Sequence, residues 1–439
     1  MSETGAEGRF GKTRLHAWMN FLACAVIFTE SFKFGQSVIG EIKLQYFITY
    51  PLTVILFFAL RGFYLNLRFT ICLILLTAAT YWNVQAGNDD YLLMFKTCFG
   101  ILQNALVFFM VLKANDFKAM PIFNAYMAIC TPICLFGLIQ EVAYLLEIKP
   151  IYNLSWAMQY YSVAGTSGPL IRVHSIMPEP AYLVFAMVPA VFAALHSWME
   201  PEKRLVSGAQ SLIIMTTMIF ALSTLGYLSL GICLIVLMIN FRKLKYLILI
   251  SIAVPLLSMA AYSLVPDVQV RVDGTAGMLT GEKEIDEIDM SNFALFSNLQ
   301  VAFLSFGENP WIGSGLGSHK ISYTRLIGNV IDVEKAPHFL NIDDAGSMML
   351  RLISETGILG SGMFLFFLFR NWFFKSKDPT GRLWVVNNGI FVLLVLKLIR
   401  YGNYFELGTF LFFWMMFSLR QEVAEAAYRP VPQLEAVAA

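Results

Sequence analysis

Apolar runs long enough to cross a membrane recur along the whole chain. They fall at 15–32, 44–60, 68–84, 92–112, 121–146, 180–199, 205–222, 225–240, 244–263, 348–370, 384–399 and 404–420. A helix needs about 20 predominantly apolar residues to span the hydrocarbon core of a bilayer. Only 14% of the residues are charged, against about 25% in soluble domains. We therefore predict an all-α polytopic integral membrane protein, with about 12 transmembrane helices in one domain of residues 1–439.

The basic residues are sorted by loop. Eighteen of the 31 Lys and Arg residues lie in the alternate loops and tails that share a side with the N-terminus. The short loops of the other side hold few of them, which is the asymmetry of the positive-inside rule. We therefore predict that both termini are cytoplasmic. The net charge of +1 gives no electrostatic reason to expect a nucleic-acid partner.

The longest polar stretch, residues 265–347, separates the ninth and tenth predicted spans and falls on the side opposite the termini. Its acidic segment at 282–289 is typical of a solvated face. Ser291 is predicted to N-cap an amphipathic helix that lies on the membrane surface and ends before Pro310. We interpret the stretch as a large extracytoplasmic loop that belongs to the same domain.

Three polar residues cluster just before the sixth predicted span, within LIRVHSIMPEPAYL at 170–183. Arg172 carries a permanent charge and a planar fork of donors that suits a phosphate or diphosphate. Glu179 stands between two prolines at a predicted helix start, where it either favours the helix dipole or faces a cavity as a base. His174 is an alternative general base, since its ordinary pKa is about 6.5.

Other polar residues on the same predicted side extend this candidate site. Arg271 would supply a second cation to the same anion. His338 and Asp344 precede the tenth span, with His338 a third candidate base. Arg351 and Glu355 are four residues apart on that span, a spacing that fits either a functional role or an ion pair that locks helices. No His, Cys or acidic cluster has metal-ligand spacing, so we expect neither metal nor cofactor.

Two further features are interpreted as structural. The glycine-rich segment 313–318 lacks the spacing of a dinucleotide-binding fingerprint and is predicted to be a flexible turn. Lys397, Arg400 and Glu406, near the last predicted hairpin, are predicted to stabilise the fold.

Four stretches, in this order, carry a resemblance to a known family. The chain resembles the O-antigen and exopolysaccharide polymerases, which are relatives of the O-antigen ligases. The long outer loop between the ninth and tenth spans also fits. The matching stretches are Arg172–Tyr182, Phe220–Gly226, Glu308–Gly317 and Leu350–Gly360.

The resemblance implies a GT-C-like fold and a metal-independent membrane glycosyltransferase. Such an enzyme acts on undecaprenyl-diphosphate-linked oligosaccharides at the periplasmic face of the bacterial inner membrane. Family arginines that hold the diphosphate correspond to Arg172 and Arg271. Membrane lipid, a chain-length regulator and a flippase are further candidate partners.

We therefore expect an inverting polymerase in which Glu179, His174 or His338 assists loss of the acceptor proton. Arg351, Glu355 and Asp344 are candidate supporting residues. A ligase is the nearest alternative, but Gly346-Ser347 stands where ligases have a His-Asn pair. A transporter or flippase is a second alternative, in which charges inside the spans form a pathway. These charges are Lys96, Arg351, Glu355 and Lys397.

Overall fold

The computed structural model describes residues 4–37, 40–158, 161–163, 165–167, 170–242, 290–331 and 340–428, with a few residues between 259 and 280. Most of them are helical. The helices are α1 (Thr4–Ala25), α2 (Leu44–Leu60), α3 (Leu67–Gln85), α4 (Tyr91–Ala114), α5 (Met120–Leu145), α6 (Lys149–Tyr152), α7 (Pro180–Met199), α8 (Gly208–Phe220), α9 (Thr224–Asn240), α10 (Met290–Glu308), α11 (His319–Leu326), α12 (Met348–Asn371), α13 (Leu383–Arg400) and α14 (Thr409–Tyr428).

Short strands form two antiparallel hairpins that the sequence did not predict. In the first, β1 (Lys33–Ser37) pairs with β2 (Gly40–Lys43). In the second, β3 (Thr166–Ser167) pairs with β4 (Leu170–Ile171). Each hairpin lies in a connection between helices, so the mostly helical architecture predicted from the sequence is confirmed.

Six helices of the described chain are long and apolar enough to cross a membrane: α3, α4, α5, α7, α12 and α13. Shorter apolar helices cover residues 15–28 and form α2, α8 and α9. The predicted span at 244–263 falls almost entirely outside the described residues. The finding agrees with an all-α membrane protein, while the number of twelve spans and the GT-C-like arrangement stay predictions.

The centre of the bundle is formed by α7 and α13, the most buried of the six long apolar helices. Gly389 of α13 lies against Pro189 of α7, where a Cβ would come within 3.0 Å of the proline Cα. Small residues let helix backbones approach closely in membrane proteins. Several side chains bond across helices to backbone carbonyls, among them Tyr126 to Ala186 at 2.7 Å and Trp414 to Ala105 at 2.9 Å.

Charged residues separate into two ends of the bundle. The end at which α1 begins and α14 finishes is called the proximal end, and it includes the Lys375–Glu200 ion pair of 2.8 Å. The opposite, distal end holds the loop residues Glu30, Asp89, Asp344 and Glu406, and the segment 172–179. The distal end corresponds to the outer face predicted from the sequence.

A kink in α12 shapes the distal end. Gly357 has φ of +58° and interrupts the helix, which leaves backbone groups without helical partners. The loop between α10 and α11 supplies new ones. Its hydrogen bonds to α12 are Ile358 N to Pro310 O at 2.8 Å, Leu359 N to Trp311 O at 3.0 Å, Ser314 N to Ser354 O at 2.9 Å and Gly315 N to Glu355 O at 2.8 Å.

The glycine-rich segment 313–318 is buried throughout, so its interpretation as a flexible turn is wrong. A Cβ on Gly313 would lie 2.4 Å from the carbonyl carbon of Glu355, and one on Gly315 would lie 2.6 Å from the Asp89 carboxylate. The glycines allow the loop to press against α12 and the α3–α4 connection.

The predicted amphipathic helix is present as α10. It begins at Met290, so Ser291 lies within the helix and the N-cap prediction is wrong. Its polar residues Asn298 and Ser305 are buried, whereas Phe303 is exposed. The polar face is thus turned toward the protein, and the position of the helix on a membrane surface stays a prediction.

Candidate functional site at the distal end

The segment that holds Arg172 crosses the junction between α8 and α9. The Val173 amide donates to the carbonyl of Phe220 at 3.0 Å, and Arg172 Nε donates to the carbonyl of Leu222 at 3.3 Å. Arg172 is half-buried. Two of the four stretches that carry the family resemblance therefore meet here, although they are far apart in sequence.

His174 lies inside the protein and holds the segment in place. Its ring stacks on Tyr161 with 4.6 Å between centroids, and its Nδ1 is 2.6 Å from the carbonyl of Met177. Because a carbonyl oxygen can only accept a hydrogen bond, Nδ1 carries the proton, and Nε2 of the neutral ring is then an acceptor. Burial lowers the pKa of His174, and the Arg172 charge adds to that effect. The buried imidazole is thus neutral and fixed by its neighbours, and its role as a base stays a prediction.

Glu179 differs from His174 in that it is exposed. It is the N-cap residue of α7, and its side chain makes no capping hydrogen bond. Its backbone carbonyl accepts the amide of Tyr182 at 3.1 Å. The carboxylate is therefore accessible to a ligand, and Pro180 at the first helical position fixes the backbone beside it.

Arg351 and Glu355 form the ion pair that their spacing predicts. Arg351 Nε is 2.8 Å from Glu355 Oε1, and both side chains are buried. The guanidinium also donates to the carbonyl of Gly402 at 3.3 Å and lies 4.2 Å above the ring of Tyr404. The Tyr404 hydroxyl donates to the second oxygen of Glu355 at 3.1 Å. Each charge is thus held by several partners.

Asp344 lies beside this pair. Its carboxylate accepts the amide of Gly346 at 2.9 Å, and its carbonyl oxygen would be 1.5 Å from a Cβ on Gly402. Burial raises the pKa of Asp344, and the charge of Arg351 opposes that rise. The α13–α14 connection therefore needs glycine where it passes the residues that precede α12.

A second ion cluster, which was not predicted to be a site, lies next to the first. Lys43 pairs with both Glu406 and Glu30, the latter at 3.3 Å. Burial and the Glu406 carboxylate raise the pKa of Glu30 to about 7. The Tyr401 hydroxyl donates to Glu406, and the fully buried Lys397 donates to the carbonyl of Glu406 at 3.0 Å. The only sequence signal for this cluster was charge at the ends of apolar runs.

Tyr182 connects the accessible segment with the buried ions. Its ring packs edge-on against Tyr401 with 5.5 Å between centroids. Its hydroxyl lies within electrostatic range of Glu406, Asp344 and Glu179. The exposed carboxylate and the two ion clusters are therefore neighbours at the distal end.

A third polar cluster surrounds His319 and carries no charge. His319 Nε2 is 2.9 Å from the side-chain oxygen of Asn298, and Nδ1 is 3.2 Å from the hydroxyl of Ser354. Ser305 and Ser314 hydroxyls lie 2.7 Å apart in the same cluster. Burial keeps the pKa of His319 far below its ordinary value. The sequence gives no signal for this cluster, because its members come from α10, α11, α12 and the loop between α10 and α11.

Two predicted site residues, Arg271 and His338, fall outside the described residues, so their contribution stays a prediction. Within the described ranges, no group of three or more His, Cys, Asp or Glu side chains is arranged to hold a metal ion.

The arrangement offers a cation, a carboxylate and a preorganised set of ion pairs within one end of the bundle. It can bind an anion at Arg172 and accept a proton at Glu179. Compared with known proteins, the chain matches no family model and no curated protein.

Proposed function

We propose that the protein is a membrane glycosyltransferase that polymerises glycans carried on a lipid diphosphate, as its resemblance to O-antigen and exopolysaccharide polymerases implies. The observation that carries this proposal is the segment 172–179. It presents a half-buried arginine and an exposed carboxylate, with a buried histidine in the same segment, at the same end as two ion clusters. Charged groups at the mouth of a membrane bundle most often face water, a cavity or a ligand.

The reaction is a displacement at the anomeric carbon of the donor glycan. The hydroxyl of the incoming repeat unit attacks this carbon, and the bond to the lipid diphosphate breaks. The diphosphate leaves with the bonding electron pair, and its growing charge is stabilised by Arg172. Glu179 takes the proton of the attacking hydroxyl, which contributes about 10²–10⁴-fold. Attack opposite the leaving group inverts the configuration.

The remaining predicted residues have supporting roles in this proposal. His174 positions Arg172 and Glu179 through the Met177 contact. Arg351, Glu355 and Asp344 stabilise the distal loops. Arg271 adds a second cation and His338 an alternative base if their segments reach this end. The proposed location is the bacterial inner membrane, with the distal end facing the periplasm.

The test is polymerisation by purified protein supplied only with lipid-linked repeat units. Wild-type protein should give a ladder on a polysaccharide gel. Arg172→Ala should lower the rate by about 10²–10³-fold, the usual effect of removing one donor to a developing oxyanion. Arg204→Ala, which removes an exposed arginine at the proximal end, is the matched control. A full ladder from Arg172→Ala refutes the role of Arg172.

The same assay separates the alternatives. A ligase would leave repeat units unjoined and move a finished glycan to another acceptor. A flippase is favoured by one observation, the buried ion cluster of Lys43, Glu30 and Glu406, because charges inside a bundle often mark transport pathways. Product formation in detergent, where the two sides of a membrane do not exist, excludes transport as the sole activity.

A further inference from the structure

An apolar groove runs along the outside of the bundle between α3, α12 and α14. Its volume is about 380 Å³, within the roughly 300–1,000 Å³ typical of small-molecule sites. Seven of its lining residues are phenylalanines, among them Phe69, Phe367 and Phe413. Both α3 and α12 are long and apolar enough to cross a membrane. The groove therefore lies along two candidate membrane spans, and its lining suits a hydrocarbon chain.

Apart from Thr356, which lies midway along α12, the polar lining residues stand near the two ends of the groove. Tyr404 and Thr409 lie at the distal end, beside the ion clusters. Asn66, Arg68, Arg370 and Asn371 lie at the proximal end. From Met348 to Arg370, at about 1.5 Å per residue, the groove extends roughly 30 Å, about the thickness of the hydrocarbon core. One lipid chain that enters from the proximal end fills the proximal half.

Two arginines at the proximal mouth, Arg68 and Arg370, indicate the charge of the headgroup that fits this site. Both are exposed, and no ion pair joins either one to a carboxylate in the described part of the chain. Arg370 lies 5.7 Å from the centre of the Phe366 ring. Arg68 stands in the first turn of α3, where the helix dipole disfavours a cation. A phosphate between the two guanidiniums would offset that charge.

We infer that this groove is a binding site for an anionic phospholipid. Its phosphate lies between Arg68 and Arg370, and one hydrocarbon chain lies against Phe69, Phe367 and Phe413. Two cations at one mouth favour a headgroup with net negative charge over a zwitterionic one, as basic pockets between membrane helices do. The site is at the end opposite Arg172, so it does not rest on the proposed glycosyl transfer.

The test is lipid binding measured by native mass spectrometry on purified protein in detergent. Phosphatidylglycerol and phosphatidylcholine with identical chains are titrated separately. We expect wild-type protein to bind phosphatidylglycerol about tenfold more tightly. In the double variant Arg68→Gln/Arg370→Gln, phosphatidylglycerol should bind about tenfold more weakly, at the level of phosphatidylcholine. The control Arg204→Gln/Arg382→Gln removes two exposed arginines at the same end and should bind as wild type does.

Two further measurements address the hydrocarbon chain. Cys72→Trp places a large ring in the groove and should weaken both lipids about equally. Glycerol phosphate, which has the anion without the chain, should not displace phosphatidylglycerol from wild-type protein. Undiminished phosphatidylglycerol binding by the double arginine variant overturns the inference, as does displacement by glycerol phosphate or preferential retention of a lipid diphosphate.

Discussion

Two groups of charged residues occupy the distal end, and they differ in how completely the protein surrounds them. Arg351 and Glu355 are buried and bonded to each other, to Gly402 and to Tyr404. Glu179 is exposed and makes no capping bond. A charge without water has to be paired within the protein, whereas an exposed one keeps its hydration until a ligand arrives.

The comparison indicates which predicted site residues act on the fold and which are open to a substrate. The side-chain partners of Arg351 and Glu355, which are Gly402 and Tyr404, both come from the α13–α14 connection, so this pair fixes that loop against α12. Its partners leave it little room to rearrange around a ligand. Arg172 is intermediate, because its Nε bonds to Leu222 while the side chain is half-exposed. Stability and activity should therefore respond differently to substitution in the two groups.

The largest expected effect on stability comes from Glu355→Ala. The substitution leaves the Arg351 guanidinium buried without its carboxylate, which should lower the free energy of unfolding by about 3–5 kcal/mol. Unfolding in mixed micelles of increasing denaturing detergent measures the change. The matched control is Glu308→Ala, which removes one partner of the exposed Arg325 pair and should cost about 0–1 kcal/mol.

A double variant sharpens this result. If the loss in Glu355→Ala comes from the unpaired cation, Arg351→Met/Glu355→Leu should recover much of the stability, because apolar residues of similar volume replace a buried pair at little cost. Equal instability of the single and double variants would mean that packing at this point, and not charge, sets the stability.

The next largest effect is expected for Gly313→Ala. The new Cβ would lie 2.4 Å from the Glu355 carbonyl carbon, and φ at this position is +65°. Overpacking of this kind costs about 1–3 kcal/mol, so the melting temperature should fall. Gly307→Ala is the control, since its Cβ meets nothing within 4 Å and alanine favours a helix. Similar melting temperatures for the two variants would contradict a tightly seated loop.

The sequence predicts the local part of this architecture well. Hydropathy locates the long helices, and a spacing of four residues predicts the Arg351–Glu355 pair, because neighbours on one helix face need no tertiary information. The polar segment at 172–179 lies at the distal end, opposite the termini, and the side of a membrane that this end faces stays a prediction. These predictions depend on short stretches of chain.

The parts that were missed depend on contacts between distant segments. Lys43 and Glu406 are 363 positions apart, and no periodicity links them. The burial of the glycine-rich segment 313–318 depends on backbone groups of α12 around the kink at Gly357, which the sequence does not predict. The burial of His174 against Tyr161 is likewise a tertiary contact that the sequence does not reveal. Residue type suggested chemistry in each case, but burial decides whether a group is accessible.

A smaller effect, which depends on pH, is expected at Asp89. Burial raises its pKa to about 7, with Glu355 contributing. Below the ordinary carboxyl pKa of about 3.9 both states are protonated, so the group has no effect on stability. As pH rises from there to about 7, the folded state holds the proton that the unfolded state loses, and stability falls.

Asp89→Asn should remove this loss, so its advantage in melting temperature over wild type should grow from pH 5 to 7.5. A difference that stays constant with pH would contradict the shift.

The smallest effect on stability is expected for Glu179→Gln, because the carboxylate is exposed and makes no capping hydrogen bond to α7. The free energy of unfolding should stay within about 0.5 kcal/mol of wild type, as it does for most surface substitutions. Polymerisation should nevertheless fall by about 10²–10⁴-fold if this carboxylate takes the acceptor proton. The control Glu202→Gln changes an exposed glutamate at the proximal end and should alter neither quantity. A stable Glu179→Gln protein that retains full activity would move the base to another residue, and a destabilised one would show that Glu179 belongs with the buried charges.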